Sequence, residues 1–345
     1  MTVLLEARNV TKIFRSGLIT KKETVALEDF SLTIDPEQPS IMAVVGESGS
    51  GKTTMARLLL GLEAPTEGEV FYQGKPLTRL RRAEWLQFRR DVQAVFQDPF
   101  EVYNTFYRVD HALEVPIQKF RLAESRAQMR RLMEEALDAV GLRPAETLGR
   151  YPHQLSGGQR QRIMVARALL LKPKLIIADE PVSMIDASLR ATVLENLRNL
   201  NERFGISIIY ITHDLTTAYQ ISHNIVVLYR GAVAEVGDVS LVVKEPRHPY
   251  TQLLVGSIPL PDPNRPWREQ PEPSPLAEEA LANVGCKFAA RCAHTFAPCL
   301  ERAPLLYRTD QFRAAACYLH DTYPPLRPEE MERVLIEKLP LYETA

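Results

Sequence analysis

The chain has 345 residues, with 42 Lys and Arg against 43 Asp and Glu, a formal net charge of −1. With 45% hydrophobic and 25% charged residues it reads as a globular protein of roughly two domains, which excludes global disorder and argues against life by nucleic-acid electrostatics. Four cysteines are too few for a disulfide-stapled secreted scaffold, the opening MTVLLEARNVTKIF carries charge where a secretory segment would be apolar, and no run of 18 apolar residues occurs; these features predict the cytosol or the cytosolic face of a membrane.

In chain order, the first clear element is IMAVVG (Ile41–Gly46), an apolar run of the kind covered on both faces of a sheet. It runs into Gly46-Glu47-Ser48-Gly49-Ser50-Gly51-Lys52-Thr53, which fits G-x-x-x-x-G-K-[ST], and then into a helical pattern from Thr54 to Leu60. Strand, glycine-rich turn and helix start make a phosphate cradle. The glycines let successive N–H groups turn inward, and the helix N-terminus adds partial positive charge. Lys52 then supplies a point charge for β- and γ-phosphates, and Thr53 a hydroxyl for Mg²⁺.

Gly61–Leu77 has closely spaced turn signals and predicts a hairpin excursion, and Arg79–Asp91 is a basic helix with Trp85 and Phe88 interleaved, read as a surface helix rather than a nucleic-acid patch. Ala123–Val140 carries apolar residues at three-to-four spacing and predicts a helix closed by Gly141. LIIAD (Leu175–Asp179) followed by Glu180 is a buried strand ending in two carboxylates, a costly arrangement unless a cation sits there. Asp179 is placed to hold Mg²⁺ and Glu180 to polarise a water aimed at the γ-phosphorus; pairing with Lys172 or Lys174 is the plainer alternative. ISIIYIT (Ile206–Thr212) ends at His213, whose ring can reach a γ-phosphate as a donor, with Asp214 beside it, and NIVVLY (Asn224–Tyr229) is one more buried strand. Strands alternating with helices predict an α/β fold with a parallel sheet.

After Ser257 seven prolines fall between Pro259 and Pro275, predicting an extended linker with Trp267 as a surface anchor; beyond it Cys286, Cys292, Cys299 and Cys317 follow C-x5-C-x6-C-x17-C, and Pro328–Ala345 is helix-like before it frays. The cysteine spacing fits neither simple zinc pairs nor tight ferredoxin runs, and leaves soft-metal ligation, zinc and unmetallated thiols open.

LSGGQRQRIMVARAL (Leu155–Leu169) resembles the signature motif and following helix of the ATP-binding-cassette (ABC) ATPases. With the Gly46–Thr53 loop, Gln97, Leu175–Glu180, Ser183–Asp186 and His213, the family's motif series occurs once and in order. The resemblance implies a P-loop NTPase fold of ABC-ATPase type: a RecA-like parallel-sheet core, an antiparallel β excursion and a helical signature subdomain, with a small cysteine-containing C-terminal extension. It implies a nucleotide-binding domain over residues 1–256 (helical part about 98–170), a Pro-rich linker over 257–275 and an extension over 276–345. It further implies ATP and Mg²⁺ as ligands, held by the loop from Gly46 to Thr54 and by Asp179. Phe14 resembles the aromatic that stacks on adenine, a core role being the alternative; Gln97 resembles the glutamine that senses Mg²⁺ and the transmembrane partner; Asp186 resembles the aspartate that communicates between sites. Ser156, Gly157, Gly158 and Gln159 resemble the residues that close on a γ-phosphate held by a second, identical or homologous cassette. The middle of Ser183-Met-Ile-Asp186 and the residues between Pro99 and Asn104 depart from the family's common patterns.

RHPYTQLLVGSIPLPDP (Arg247–Pro263) resembles the C-terminal extension of ATPases from oligopeptide, dipeptide and nickel importers. That implies a peripheral motor subunit on two transmembrane permease subunits, served by an extracytoplasmic substrate-binding protein, with no nucleic-acid partner. It also implies a [4Fe–4S] cluster on the four cysteines. The competing readings are a soluble ABC ATPase not coupled to transport and a different cargo such as nickel or sugar.

Overall fold

The computed structural model describes residues 3–16, 22–96, 103–183, 185, 187–258, 274, 276 and 284–335. Gln97, Asp186, Trp267 and most of the proline-rich segment lie outside the described residues. The chain divides into two compact units, residues 1–79 with 211–345, and residues 80–210.

In the first unit, β1 (Leu5–Ser16) pairs antiparallel with β2 (Lys22–Ile34) in a register that sets Leu5 against Ile34 and Phe14 against Thr24. On its other edge β1 pairs with β4 (Glu67–Tyr72), which turns at Gln73–Gly74 into the short β5 (Lys75–Pro76). This is the hairpin excursion that the turn signals in Gly61–Leu77 predict. The second sheet of this unit is built around β3 (Ile41–Val45), parallel to β9 (Asn224–Tyr229), with every residue of both strands buried. Burying each such aliphatic side chain stabilises by about 1.5–3 kcal/mol, which explains the unbroken apolar runs.

The sheet is mixed rather than wholly parallel. β10 (Ala232–Asp238) returns antiparallel to β9, and β12 (Arg313–Ala315) pairs with β10, setting Ala315 against Glu235. β11 (Leu306–Asp310) and β13 (Pro325–Leu326) complete the edge. The cysteine-rich segment therefore extends the sheet that begins at β3. Pro328–Val334 is a 3₁₀ stretch, not the expected α-helix. Its buried residues, Met331 and Val334, are three apart, the spacing that a 3₁₀ turn eclipses on one side, and Glu330 caps it by accepting from the Arg327 N–H at 3.1 Å.

In the second unit, α2 (Arg82–Asp91) leads into β6 (Val92–Val95), which is parallel to β7 (Leu175–Asp179), with β8 (Ser207–Thr212) on the far side of β7. The expected helix after Ala123 spans Arg126–Ala139: Ser125 caps its start by accepting from the Gln128 N–H, and the Gly141 N–H bonds the Asp138 carbonyl at its end. Tyr103 ties its hydroxyl to the Arg160 carbonyl at 2.9 Å on the signature helix, Gly157–Leu169. Among the described residues no helix is long and apolar enough to cross a membrane.

Glu235 on β10 is fully buried, and its carboxylate accepts the N–H groups of Arg247 and His248, both at 2.9 Å. Burial is the main cause that raises its pKa from 4.5 to about 7. An acid with a raised folded pKa contributes stability that is complete below the unfolded value and fades as pH climbs through the folded one, here between about 4.5 and 7. Replacing it by glutamine removes that dependence. The melting-temperature advantage of the native protein over Glu235→Gln is therefore expected to shrink from pH 5 to pH 7.5; an advantage constant across that range would contradict the assignment.

Candidate functional site

The loop from Gly46 to Gly51 joins β3 to helix α1 (Lys52–Leu59). Lys52 is buried, and its ammonium donates to the carbonyls of Gly46 at 2.7 Å and Glu47 at 2.9 Å, so the charge is held across the mouth of the loop. No side chain caps α1: Gly51 precedes it in the left-handed region with φ 104. A Cβ on Gly51 would lie 2.3 Å from the Ala26 carbonyl, so the position has neither room nor φ for a side chain. Gly49 needs only its φ of 77, because a Cβ there meets nothing within 4 Å. The helix start thus presents uncapped N–H groups beside a buried ammonium, with Ser48, Gly49 and Thr53 exposed and Thr54 half-buried. That combination suits an anion.

Glu47 is held at every polar group. Its N–H donates to the Tyr250 hydroxyl at 2.9 Å, its carbonyl accepts from Lys52 and from the Ser50 N–H, and its carboxylate takes both arms of Arg291 at 2.9 and 3.1 Å. Hydrogen bonding to Glu47 pushes the Arg291 pKa up. Sequence reasoning missed Tyr250 and Arg291. The signal was there: an acidic residue inside a phosphate loop needs a cation. Phe14, the expected adenine platform, is 40% exposed on β1 with the Lys12 ammonium 5.0 Å from its ring centroid. His213 is exposed directly after β8, and Asp214 caps the helix Leu215–Ile221 by accepting from the Thr216 N–H at 2.8 Å.

In the second unit, Asp179 is the buried last residue of β7, and Glu180 follows in the left-handed region with φ 46. A non-glycine residue there is strained, and here the Glu180 carbonyl is fixed by the Ser183 N–H at 3.2 Å and hydroxyl at 3.0 Å. Ser156 and Gln159 close a reciprocal capping box: the serine hydroxyl accepts from the Gln159 N–H at 3.2 Å, and the Gln159 side chain accepts from the Ser156 N–H at 2.9 Å. Ser156 stays exposed, Gly157 and Gln159 half-buried and Gly158 buried.

Cys286, Cys292, Cys299 and Cys317 are free thiols around one small cavity of about 10 Å³, shared with Phe288, Thr295 and Tyr318. Burial raises the pKa of Cys286 to about 11 and of Cys317 to about 12, so these thiols stay protonated at neutral pH. The donor chemistry suits a soft metal. The spacing as it stands does not hold a single ion: no group of three or more ligating side chains is arranged for one among the described residues.

The model of the ABC transporter family matches residues 27–183, and the model of the oligopeptide/dipeptide transporter C-terminal region matches residues 234–299. The chain belongs to the ABC transporter family. It is 40% identical over 294 residues to the probable peptide ABC transporter ATP-binding protein y4tS of Sinorhizobium fredii, covering 85% of this chain and 82% of that one. It is 39% identical over 311 residues to the dipeptide transport ATP-binding protein DppF of Escherichia coli, covering 88% and 90%. Among solved structures, the dimeric, post-hydrolysis ATP-binding cassette MJ0796 bound to ADP and Pi superposes with a TM-score of 0.61 at 32% identity, covering 68% of this chain and 99% of that one. The fold is that of an ABC ATPase, and the chain is an ATP-binding, ATP-hydrolysing transporter subunit.

The two glycines separate two kinds of damage. Gly51→Ala is expected to abolish ATP binding, because the loop cannot close against Ala26; Gly49→Ala is expected to cost about 1 kcal/mol, all of it backbone strain. Titration calorimetry with ATP on both variants checks this, and equal losses would refute the contact argument.

Proposed function

We propose that the chain powers uptake of oligopeptides or dipeptides as the ATPase subunit of an ABC importer. The observation that carries the reading is the match of residues 234–299 to the oligopeptide/dipeptide transporter C-terminal region, alongside peptide-transport relatives that span most of the chain. The subunit docks on two transmembrane permease subunits at the cytoplasmic face of the membrane, receives cargo indirectly from an extracytoplasmic binding protein, and does not bind nucleic acid. Its cassette spans residues 1–256, with the helical subdomain near 98–170; residues 257–275 link it to the extension over 276–345.

The roles follow from the chemistry of each group. The loop N–H groups and Lys52 bind the β- and γ-phosphates, with Gly46 to Thr54 as the cradle, and Phe14 stacks on adenine. Bound Mg²⁺ neutralises charge between those phosphates; Thr53, Asp179 and Gln97 are the residues that would hold it. Glu180 draws a proton from the attacking water while a γ-phosphorus–oxygen bond forms and the bond to the ADP oxygen breaks, and His213 donates to the γ-phosphate oxygens. Ser156, Gly157, Gly158 and Gln159 offer a second anion-binding helix start, which closes on nucleotide held by the partner cassette, identical or homologous; Asp186 relays between the two sites. One loop and one signature per chain means two chains per working unit.

Glu180→Gln is expected to bind ATP and dimerise while hydrolysis falls by about 10²-fold or more, read as phosphate release. Native turnover per subunit should also fall on dilution. Unchanged hydrolysis in Glu180→Gln would falsify the base assignment, and dilution-independent turnover by a monomer would refute the shared site.

The [4Fe–4S] reading of Cys286, Cys292, Cys299 and Cys317 rests on their common cavity and the family resemblance, and no step of hydrolysis runs through it. Anaerobically purified protein carrying a cluster would show broad visible absorbance and about four irons per chain; iron-free, colourless protein would leave four structural thiols.

A further inference from the structure

A carboxylate in a phosphate loop is an electrostatic problem. Glu47 stands two residues after β3, in the cradle that receives the triphosphate, and like charge there opposes binding. The guanidinium of Arg291, 244 residues further along the chain, meets that carboxylate with two arms at 2.9 and 3.1 Å. Its approach is fixed from both sides: its central carbon lies 5.8 Å from the Tyr229 ring centroid and 5.6 Å from that of Phe288, and one arm reaches the Tyr229 hydroxyl at 3.4 Å.

The turn that carries Arg291 belongs to the cysteine segment. Ala289–Arg291 is a single 3₁₀ turn between Cys286 and Cys292. The Ala289 N–H bonds the Cys286 carbonyl at 3.0 Å, the Cys292 N–H bonds the Ala289 carbonyl at 3.2 Å, and the Thr295 hydroxyl adds a bond to that same carbonyl at 2.7 Å. The neighbouring Lys287 pairs with Glu28 on β2 at 2.9 Å. These contacts pin the turn to the cassette.

We propose that Arg291 is a positioning residue for ATP binding: supplied by the cysteine segment, it neutralises Glu47 and holds the phosphate loop in its anion-accepting shape. The proposal rests on the loop being the nucleotide site. The Arg291 and Glu47 side chains are 36% and 41% exposed, so as a fold staple the pair is weak, and its effect belongs in nucleotide affinity rather than global stability.

The test uses the full-length protein, a fluorescent ATP analogue and steady-state hydrolysis with Mg²⁺. Arg291→Ala is expected to raise both Kd and KM about fivefold with kcat changed less than twofold, and Arg291→Lys to recover part of the loss. Adding Glu47→Gln to Arg291→Ala should bring affinity back to within about twofold of Glu47→Gln alone, since the charge that needed compensation is gone. Arg291→Ala with native affinity, or a loss that persists undiminished beside Glu47→Gln, would overturn the proposal. Should Arg291→Ala fail to fold, Arg291→Lys decides: affinity indistinguishable from native refutes, weakening relieved by Glu47→Gln supports. Lys52→Ala separates the two levels. If it binds nucleotide normally, the nucleotide-site reading falls and this proposal with it; if it is dead while Arg291→Ala is silent, this proposal falls alone.

Discussion

A loop that binds phosphate through its own N–H groups must hold its backbone shape while keeping several of those groups unspent on the protein's own acceptors. The surroundings of Gly46–Gly51 meet that demand by fixing the loop through its carbonyls and its flanks. Lys52 draws in the carbonyls of Gly46 and Glu47, the Gly231 N–H takes the Ser50 carbonyl at 2.9 Å, and the Ala26 carbonyl on β2 abuts Gly51. Three segments far apart in sequence therefore shape the loop's backbone mainly through its carbonyls. The antiparallel sheet of β1 and β2 has its mechanical reason here: it supplies the wall that Gly51 leans on.

That division of labour sets what was legible in the sequence. β3, β7, β8 and β9 are buried on both faces, so their composition alone marks them. The phosphate loop is legible because its chemistry is local: the glycines, Lys52 and Thr53 lie within eight consecutive positions. The strands β10 to β13 were not read as strands, since they pair antiparallel near an edge, are short, and carry Glu235 and Arg313 among their buried residues. Pro328–Val334 misled because three-residue and four-residue spacings look alike over seven residues. Glu47 in the loop signalled the need for a cation, but not which one: Arg291 is 244 residues away, and no local pattern reports such a pairing.

The C-terminal segment belongs to the same compact unit as the phosphate loop. Its strand β12 hydrogen-bonds β10, its Phe288 packs against Tyr229 and Tyr250 with ring centroids 5.3 and 5.6 Å apart, and its Arg291 reaches the phosphate loop. The aromatic trio is the hinge of this arrangement, since Tyr229 ends β9, Tyr250 opens the helix Pro249–Gly256, and Phe288 follows Cys286 by two positions. Aromatic side chains suit that role because each buries a large rigid surface, and the two tyrosines also bring a hydroxyl that can bond. Tyr250 does so at the Glu47 N–H, and burial accordingly raises its pKa to about 12, which keeps the hydroxyl protonated throughout the physiological range.

The same trio connects the loop to a buried polar junction whose two titrating groups oppose each other. His248 caps the helix by accepting from the Tyr250 N–H at 3.0 Å, and its own N–H is held by Glu235. Burial lowers the His248 pKa from 6.5 to about 3, so the stability it contributes is complete above 6.5 and is lost as pH falls through the folded value. Glu235 runs the other way, losing its contribution as pH rises from 4.5 toward about 7. Between about 4.5 and 6.5 the two slopes cancel in sign. The pH dependence of this junction's contribution to stability is therefore partly offset over that interval.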